Sequence, residues 1–302
     1  MRLINQDGRL TLVRGSVGVD VHHASGGLFD PDPQAVYDRW DEFVQWATTV
    51  PAAGLADSPA GSVVDRARLG PPVPRPRQIF AIGLNYAAHA DESGFVEPDE
   101  PVVFTKFVSS IAGPRTTVAL PEGSVDWEVE LVVVIGRGGR NIPAAQGWHH
   151  VAGVMVGQDL SERRRQHAGP APQFSLAKSH AGFSPTGPAL VTPDELADRD
   201  DLEIGAEIDG EVVQAGRTSQ FIFPVPELIA RLSAVVELYP GDLIFTGTPA
   251  GVGAGRTPPR FLQPGEVLCS YISGVGELVQ TFTAGNGNPA TTADRLVGLA
   301  AE

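Results

Sequence analysis

Short apolar runs separated by glycine, proline and Asp-Gly turns dominate this chain. Leu3–Asn5 and Arg9–Val13 flank Gln6-Asp7-Gly8, and Asp-Gly between two such runs signals a tight β-hairpin. Val17–Val21 reads as a further strand. Asp32 before Pro33 forms an N-cap followed by proline at the first helical position. Val36, Trp40, Phe43, Val44 and Ala47 then recur at helical spacing as far as Thr49. Residues 51–77 are rich in alanine, glycine and proline, and Pro71, Pro72, Pro74 and Pro76 make a stiff, extended boundary. The pattern predicts a small α+β module over residues 1–70, a proline-rich linker over 71–77 and a main domain over 78–302.

From Gln78 onward the apolar runs have strand length: Ile79–Ile82, Val102–Phe107, Val129–Ile135, Val151–Val156, Leu243–Thr246, Val267–Ile272 and Leu278–Phe282. Ile208-Asp209-Gly210-Glu211 is a second Asp-Gly hairpin, and Pro226–Leu238 is the one long helical pattern. The expected class is α+β and β-rich, without internal repeats.

Composition narrows the partners. In 302 residues, 36 acidic side chains against 22 Lys and Arg give a net charge of −14. That field opposes nucleic acid and anionic membranes. It leaves room for a small anion wherever local cations or a metal override it. Cys269 is the only cysteine, so no intramolecular disulfide and no Cys-rich zinc module can form. The opening Met1–Asp7 lacks a signal-peptide core, and no apolar stretch approaches the roughly 18 residues a membrane span needs. The expected location is cytoplasmic.

Candidate chemistry concentrates in five segments. In Asp126–Gly136, Glu128 and Glu130 on a strand face the same side, roughly 6.5 Å apart. That face continues as Val132 and Val134. Two carboxylates entering apolar surroundings need a cation, and a hard divalent ion suits them; the plainer alternative is a solvated edge. Asp159, at the end of the run from Val151, supplies a third carboxylate or else a helix cap. His89 and Glu92, i and i+3 after the strand at 79–82, form either a base with its orienting carboxylate or a surface salt pair. Lys106 and Lys178 sit within apolar segments, where burial demands a partner, whereas Arg163, Arg164 and Arg165 form a cationic run. Gly241–Gly253 enters a loop dense in Gly, Thr and Pro, which brings amides and hydroxyls towards an anion. Cys269, His22-His23 and His149-His150 read as packing or surface residues.

Taken in order, Gly83–Glu92, Asp126–Gly136, Gly157–Gln166, Leu176–Pro188 and Gly241–Gly253 resemble the fumarylacetoacetate hydrolase family, over about residues 75–285. The segment before residue 70 resembles the N-terminal extension of some bacterial members. The resemblance implies a mixed β-roll catalytic domain, usually a homodimer, with one Mg²⁺ or Mn²⁺. It assigns the metal to Glu128, Glu130 and Asp159, catalysis to His89, Glu92 and Lys178, and substrate binding to Arg163, Gln166, Thr248 and Tyr86. The region Ala88–Glu100, containing Ser93-Gly94 and Pro98, would be a mobile lid. Two positions depart from the family pattern: Arg164 stands where aspartate is common, and His180-Ala181 where Phe-Asp is common.

The activity so implied is hydrolysis of a C–C bond in acylpyruvate-type 2,4-dioxo acids, such as fumarylacetoacetate or fumarylpyruvate, in aromatic catabolism. Decarboxylation or enol–keto isomerisation of 2-oxo diacids on the same metal site is the alternative. A non-catalytic oxo-acid binder is disfavoured by the intact His89, Glu92 and Lys178.

Overall fold

The computed structural model describes residues 1–50, 61–92, 94 and 96–285. Ser93 of the expected lid and residues 51–60 of the proline-rich stretch lie outside them. Both Asp-Gly pairs form hairpin turns with left-handed backbone, at Asp7 (φ 55°) and Gly8 (77°) and at Asp209 (50°) and Gly210 (85°). The first joins Arg2–Gln6 to Arg9–Arg14 and the second joins Glu203–Ile208 to Glu211–Arg217.

Two sheets carry the fold. The larger has twelve strands among the described residues. Its path runs from Gly61–Val63 through Val17–Asp20, Arg9–Arg14, Arg2–Gln6, Ser184–Val191, Val151–Gln158, Val129–Ile135, Leu243–Phe245 and Ile79–Gly83 to the edge strand Val102–Thr105. The second has five strands, ordered Glu211–Arg217, Glu203–Ile208, Val267–Ile272, Gly276–Ala284 and Arg115–Leu120.

The boundary expected at 71–77 is bridged by the sheet. Arg2 and Leu3 pair with Val191 and Leu190. Leu3, Leu12, Val19, Trp40 and Phe43 share one core with Val132, Val134, Met155, Leu243 and Phe245. Residues 1–50 therefore cover one face of the central sheet, which would otherwise expose those valines. The helix expected after Pro33 begins as a 3-10 turn, Ala35–Arg39, and becomes α-helical at Trp40–Thr49, because Arg39 leaves helical geometry (φ −130°, ψ 34°). The late helix spans Val225–Val235 and ends where Val236 turns extended.

The central strand Val129–Ile135 is buried at every position. Its side chains alternate between two cores, Val129, Leu131, Val133 and Ile135 on one face and Val132 and Val134 on the other. Antiparallel pairing with Val151–Gln158 sets Val129 opposite Gln158. This register brings the start of one strand and the end of the other together, which places the site.

Candidate active site

Glu128 lies one residue before the strand rather than on it. Its backbone N–H donates to Gln158 Oε1 (2.9 Å), and its carbonyl accepts from Asp159 N (2.9 Å). Those two bonds fix the neighbouring strand ends and bring three buried carboxylates, Glu128, Glu130 and Asp159, together, with one oxygen from each within 4.8 Å of the others. Glu128 and Glu130 share a side, as the alternation predicts.

Cations surround the cluster unevenly. Lys178 Nζ donates to Glu128 Oε2 (2.6 Å) and Asp159 Oδ2 (2.7 Å). Arg163 Nη2 donates to Glu128 Oε1 (2.6 Å) and its Nε to Asp126 Oδ1 (2.7 Å), while Nη1 holds Gln166 Oε1 (2.8 Å). Lys106 pairs with Asp159 Oδ1. Among the described residues Glu130 receives only the Gly247 N–H, at 2.8 Å on Oε2.

The electrostatics follow this distribution. Burial opposes charge on Glu128, but Lys178 and Arg163 overcome it and hold the carboxyl below the usual range. Glu130 goes the other way: burial, then the charges of Asp159 and Glu128, raise it well above the usual range. Burial also penalises the Lys178 ammonium, yet Asp159 and Glu128 keep its pKa above the ordinary value.

The Gly-Thr-Pro loop after Leu243–Phe245 turns its amides to the chain's own carboxylates. Gly247 serves Glu130, and Gly251 N donates to both oxygens of Glu92 (3.1 and 3.0 Å). Gly247 has φ 96°, and a Cβ there would stand 2.7 Å from Asn85 Cβ, so only glycine allows this approach. Thr248 Oγ1 donates to the Val129 carbonyl (2.8 Å) and accepts from Gln214 Nε2 (2.8 Å).

His89 and Glu92 occupy the short helix Ala87–Glu92. His89 Nδ1 stands 3.4 Å from Glu92 Oε2, and both residues are too enclosed for a surface salt pair. Burial works against charge on Glu92, but His89 and the Gly251 amide lower its pKa. Glu92 thus ties the first turn of the expected lid to the 247–251 loop.

A cavity of about 450 Å³ opens over the cluster. Its polar lining includes His89, Glu92, Glu128, Arg163, Gln166, Lys178 and Thr248; Ile82, Val102, Phe104, Phe174 and Val252 form an apolar wall. Glu130, Asp159 and Tyr86 are not among its lining residues. Tyr86 is buried against Phe221 (centroids 5.0 Å apart), and its hydroxyl has no hydrogen-bond partner among the described residues. Burial and the Glu130 charge push its phenol upward.

Of the two departures from the family pattern, Arg164 and Ala181 are exposed, and His180 is half-buried. Several supporting residues escaped the sequence reading. Asp126 anchors both Arg163 and Ala254 N (2.8 Å). Gln158 and Gln214 satisfy the backbone of Glu128 and Val129. Glu162 caps the Arg163–Gln166 turn through the N–H groups of Arg164 and Arg165. A buried glutamine on a strand carries no local signal. Asp126 opens the segment Asp126–Gly136, and a carboxylate two residues before Glu128 is its one local signal.

Among the described residues no helix is long and apolar enough to cross a membrane. The chain is 46% identical to a human mitochondrial oxaloacetate tautomerase, FAHD2A, over 210 residues, 69% of this chain and 67% of that protein. It is 64% identical to a Mycobacterium smegmatis protein provisionally called HpcE, whose crystal structure superposes with a TM-score of 0.89 over 95% of this chain and all of that one. The maleylpyruvate hydrolase of Sphingobium sp. SYK-6, solved with manganese(II) and pyruvate, is 28% identical with a TM-score of 0.77, covering 95% of this chain and all of that one. The C-terminal fumarylacetoacetate (FAA) hydrolase family profile matches residues 78–283. The chain therefore belongs to the fumarylacetoacetate hydrolase family and shares its α+β fold.

Proposed function

We propose that this family enzyme binds a 2-oxo acid over a divalent cation held by Glu128, Glu130 and Asp159, and hydrolyses the C3–C4 bond of an acylpyruvate. The donor set fits such an ion: three buried carboxylates converge, and the nearby Tyr86 hydroxyl is buried without a partner among the described residues. A bound Mg²⁺ or Mn²⁺ supplies Lewis-acid polarisation of the 2-oxo acid group. Arg163, Gln166 and Lys178 orient the substrate's carboxylate and carbonyl oxygens. His89, oriented by Glu92 through Nδ1, takes the proton of the attacking water. Water adds at C4, the C3–C4 pair passes to C3, and a proton delivered to C3 completes pyruvate; the acyl half leaves as a carboxylic acid.

The carrying observation is the enclosed His89–Glu92 pair lining the same cavity as Glu128 and Lys178. The apolar wall of Ile82, Val102, Phe104, Phe174 and Val252 suits the carbon chain of an acyl arm. The 46% identity to an oxaloacetate tautomerase favours a second reading, enol–keto tautomerisation of a 2-oxo diacid, for which His89 would move a proton at C3 without adding water.

Acetylpyruvate, fumarylpyruvate and enol-oxaloacetate, each followed by NMR with Mg²⁺ or Mn²⁺, separate the two. Equimolar pyruvate and carboxylic acid from an acylpyruvate support hydrolysis. Accelerated ketonisation of oxaloacetate with no acylpyruvate cleavage supports the second reading. Metal-independent inertness towards all three substrates refutes both.

A further inference from the structure

Lys106 follows the edge strand Val102–Thr105, and its side chain is fully buried. An ammonium in that position has to be satisfied by the protein. Its amine meets two groups: Asp159 Oδ1 and the backbone carbonyl of Lys178. The Phe245 ring lies 5.8 Å away. Lys106 is not among the residues lining the cavity, so it is placed to act through other groups rather than on a substrate.

Each of its two bonds fixes something the reaction would use. The bond to Asp159 Oδ1 sets the rotation of that carboxylate, leaving Oδ2 to face Lys178. The bond to the Lys178 carbonyl anchors the backbone just after the turn Phe174–Ala177, from which the Lys178 side chain reaches Glu128 and Asp159. The same turn is braced by Phe174 against the Phe104 ring (centroids 5.4 Å), by buried Ala177 and by the Phe107 N–H on Ser179 Oγ (2.9 Å), and Lys106 adds a tie that also reaches Asp159. One buried ammonium thus ties a carboxylate of the cluster to the loop that delivers the cavity's lysine.

We infer that Lys106 is a positioning residue that sets Asp159 for the cation and the Lys178 loop for the substrate. The inference rests on the proposed metal site. A purely electrostatic role predicts the opposite sign, because removing a cation near a metal site strengthens metal binding. Positioning predicts weaker binding, since groups that orient metal ligands typically contribute 10–100-fold in affinity.

The test is calorimetric titration of the full chain with Mn²⁺ alone, together with the electron paramagnetic resonance line shape of the bound ion. Lys106→Met should weaken Mn²⁺ binding at least about tenfold and broaden the signal. Lys106→Gln, which keeps a donor for the Lys178 carbonyl, should fall between parent and Met variant. It also preserves the test if the Met variant does not fold. Parent-like or tighter Mn²⁺ binding in a folded Lys106 variant overturns the inference. If the parent itself binds no Mn²⁺, the metal-site reading fails instead, so the two failures are distinguishable.

Discussion

Glu130→Gln separates stability from function, with opposite signs. Glu130 is 1% exposed, and among the described residues its one hydrogen-bond donor is the Gly247 amide. The carboxylates of Glu128 and Asp159 are its neighbours, with the offered oxygens within 4.8 Å. A like-charge contact at that range, in an effective dielectric of about 20, is worth roughly 3 kcal/mol. Two such contacts act on Glu130, and the nearby ammonium groups of Lys178 and Lys106 offset most of them, leaving a net penalty on the order of 1–2 kcal/mol for ionised Glu130 without metal.

Because burial and the neighbouring carboxylates raise the folded-state pKa of Glu130, protonated Glu130 favours the fold. That contribution is complete below the ordinary carboxylate range and is lost as pH rises through the raised value. The amide variant does not titrate and can still accept from Gly247. Metal-free Glu130→Gln should therefore melt a few degrees above the parent at neutral pH, with the gap closing as pH falls to the ordinary carboxylate range. Mn²⁺ at a hundredfold over its dissociation constant should stabilise the parent by about 2.7 kcal/mol, a rise on the order of 5 °C, and the variant hardly at all. The order of melting temperatures inverts on adding metal. Differential scanning calorimetry with and without chelator reads both arms. A metal-free variant less stable than the parent, with a parent-sized Mn²⁺ shift, would refute the reasoning.

His89→Ala should lower kcat by about 10²–10⁴, and adding Glu92→Ala should cost little more, because the pair acts as a unit; additive losses would show two independent groups. Asp126→Asn weakens the hold on Arg163 Nε and should raise KM for the oxo acid more than it lowers kcat, which steady-state kinetics resolves. Gly157→Ala would put a Cβ against Val132 and 2.9 Å from the Phe245 ring, so urea unfolding should show a loss of about 1–3 kcal/mol.

Local chemistry wrote much of this molecule into its sequence. Asp-Gly fixed both hairpins because those residues tolerate left-handed backbone. The runs Val129–Ile135 and Val267–Ile272 became strands over those same residues, since β-branched stretches of that length suit buried or half-buried strands. The i, i+3 spacing of His89 and Glu92 and the alternation of Glu128 and Glu130 follow from helix and strand periodicity alone. Two strands, Arg115–Leu120 and Ser184–Val191, escaped that reading; Arg115–Leu120 is an edge strand with exposed positions, and Ser184–Val191 contains two prolines and a glycine.

Only the tertiary structure decided what those groups became. Asp159 joins Glu128 and Glu130 because antiparallel register sets Gln158 opposite Val129, a long-range fact that no spacing encodes. The N-terminal strands complete the central sheet because Val132 and Val134 need cover, and that demand exists only once the sheet has formed. Lys106, Lys178 and Arg163 read alike as cations near apolar runs. The fold buries one behind Asp159, bridges another between two carboxylates and braces the third on Asp126, because a buried charge must find its counter-charge wherever packing has put it.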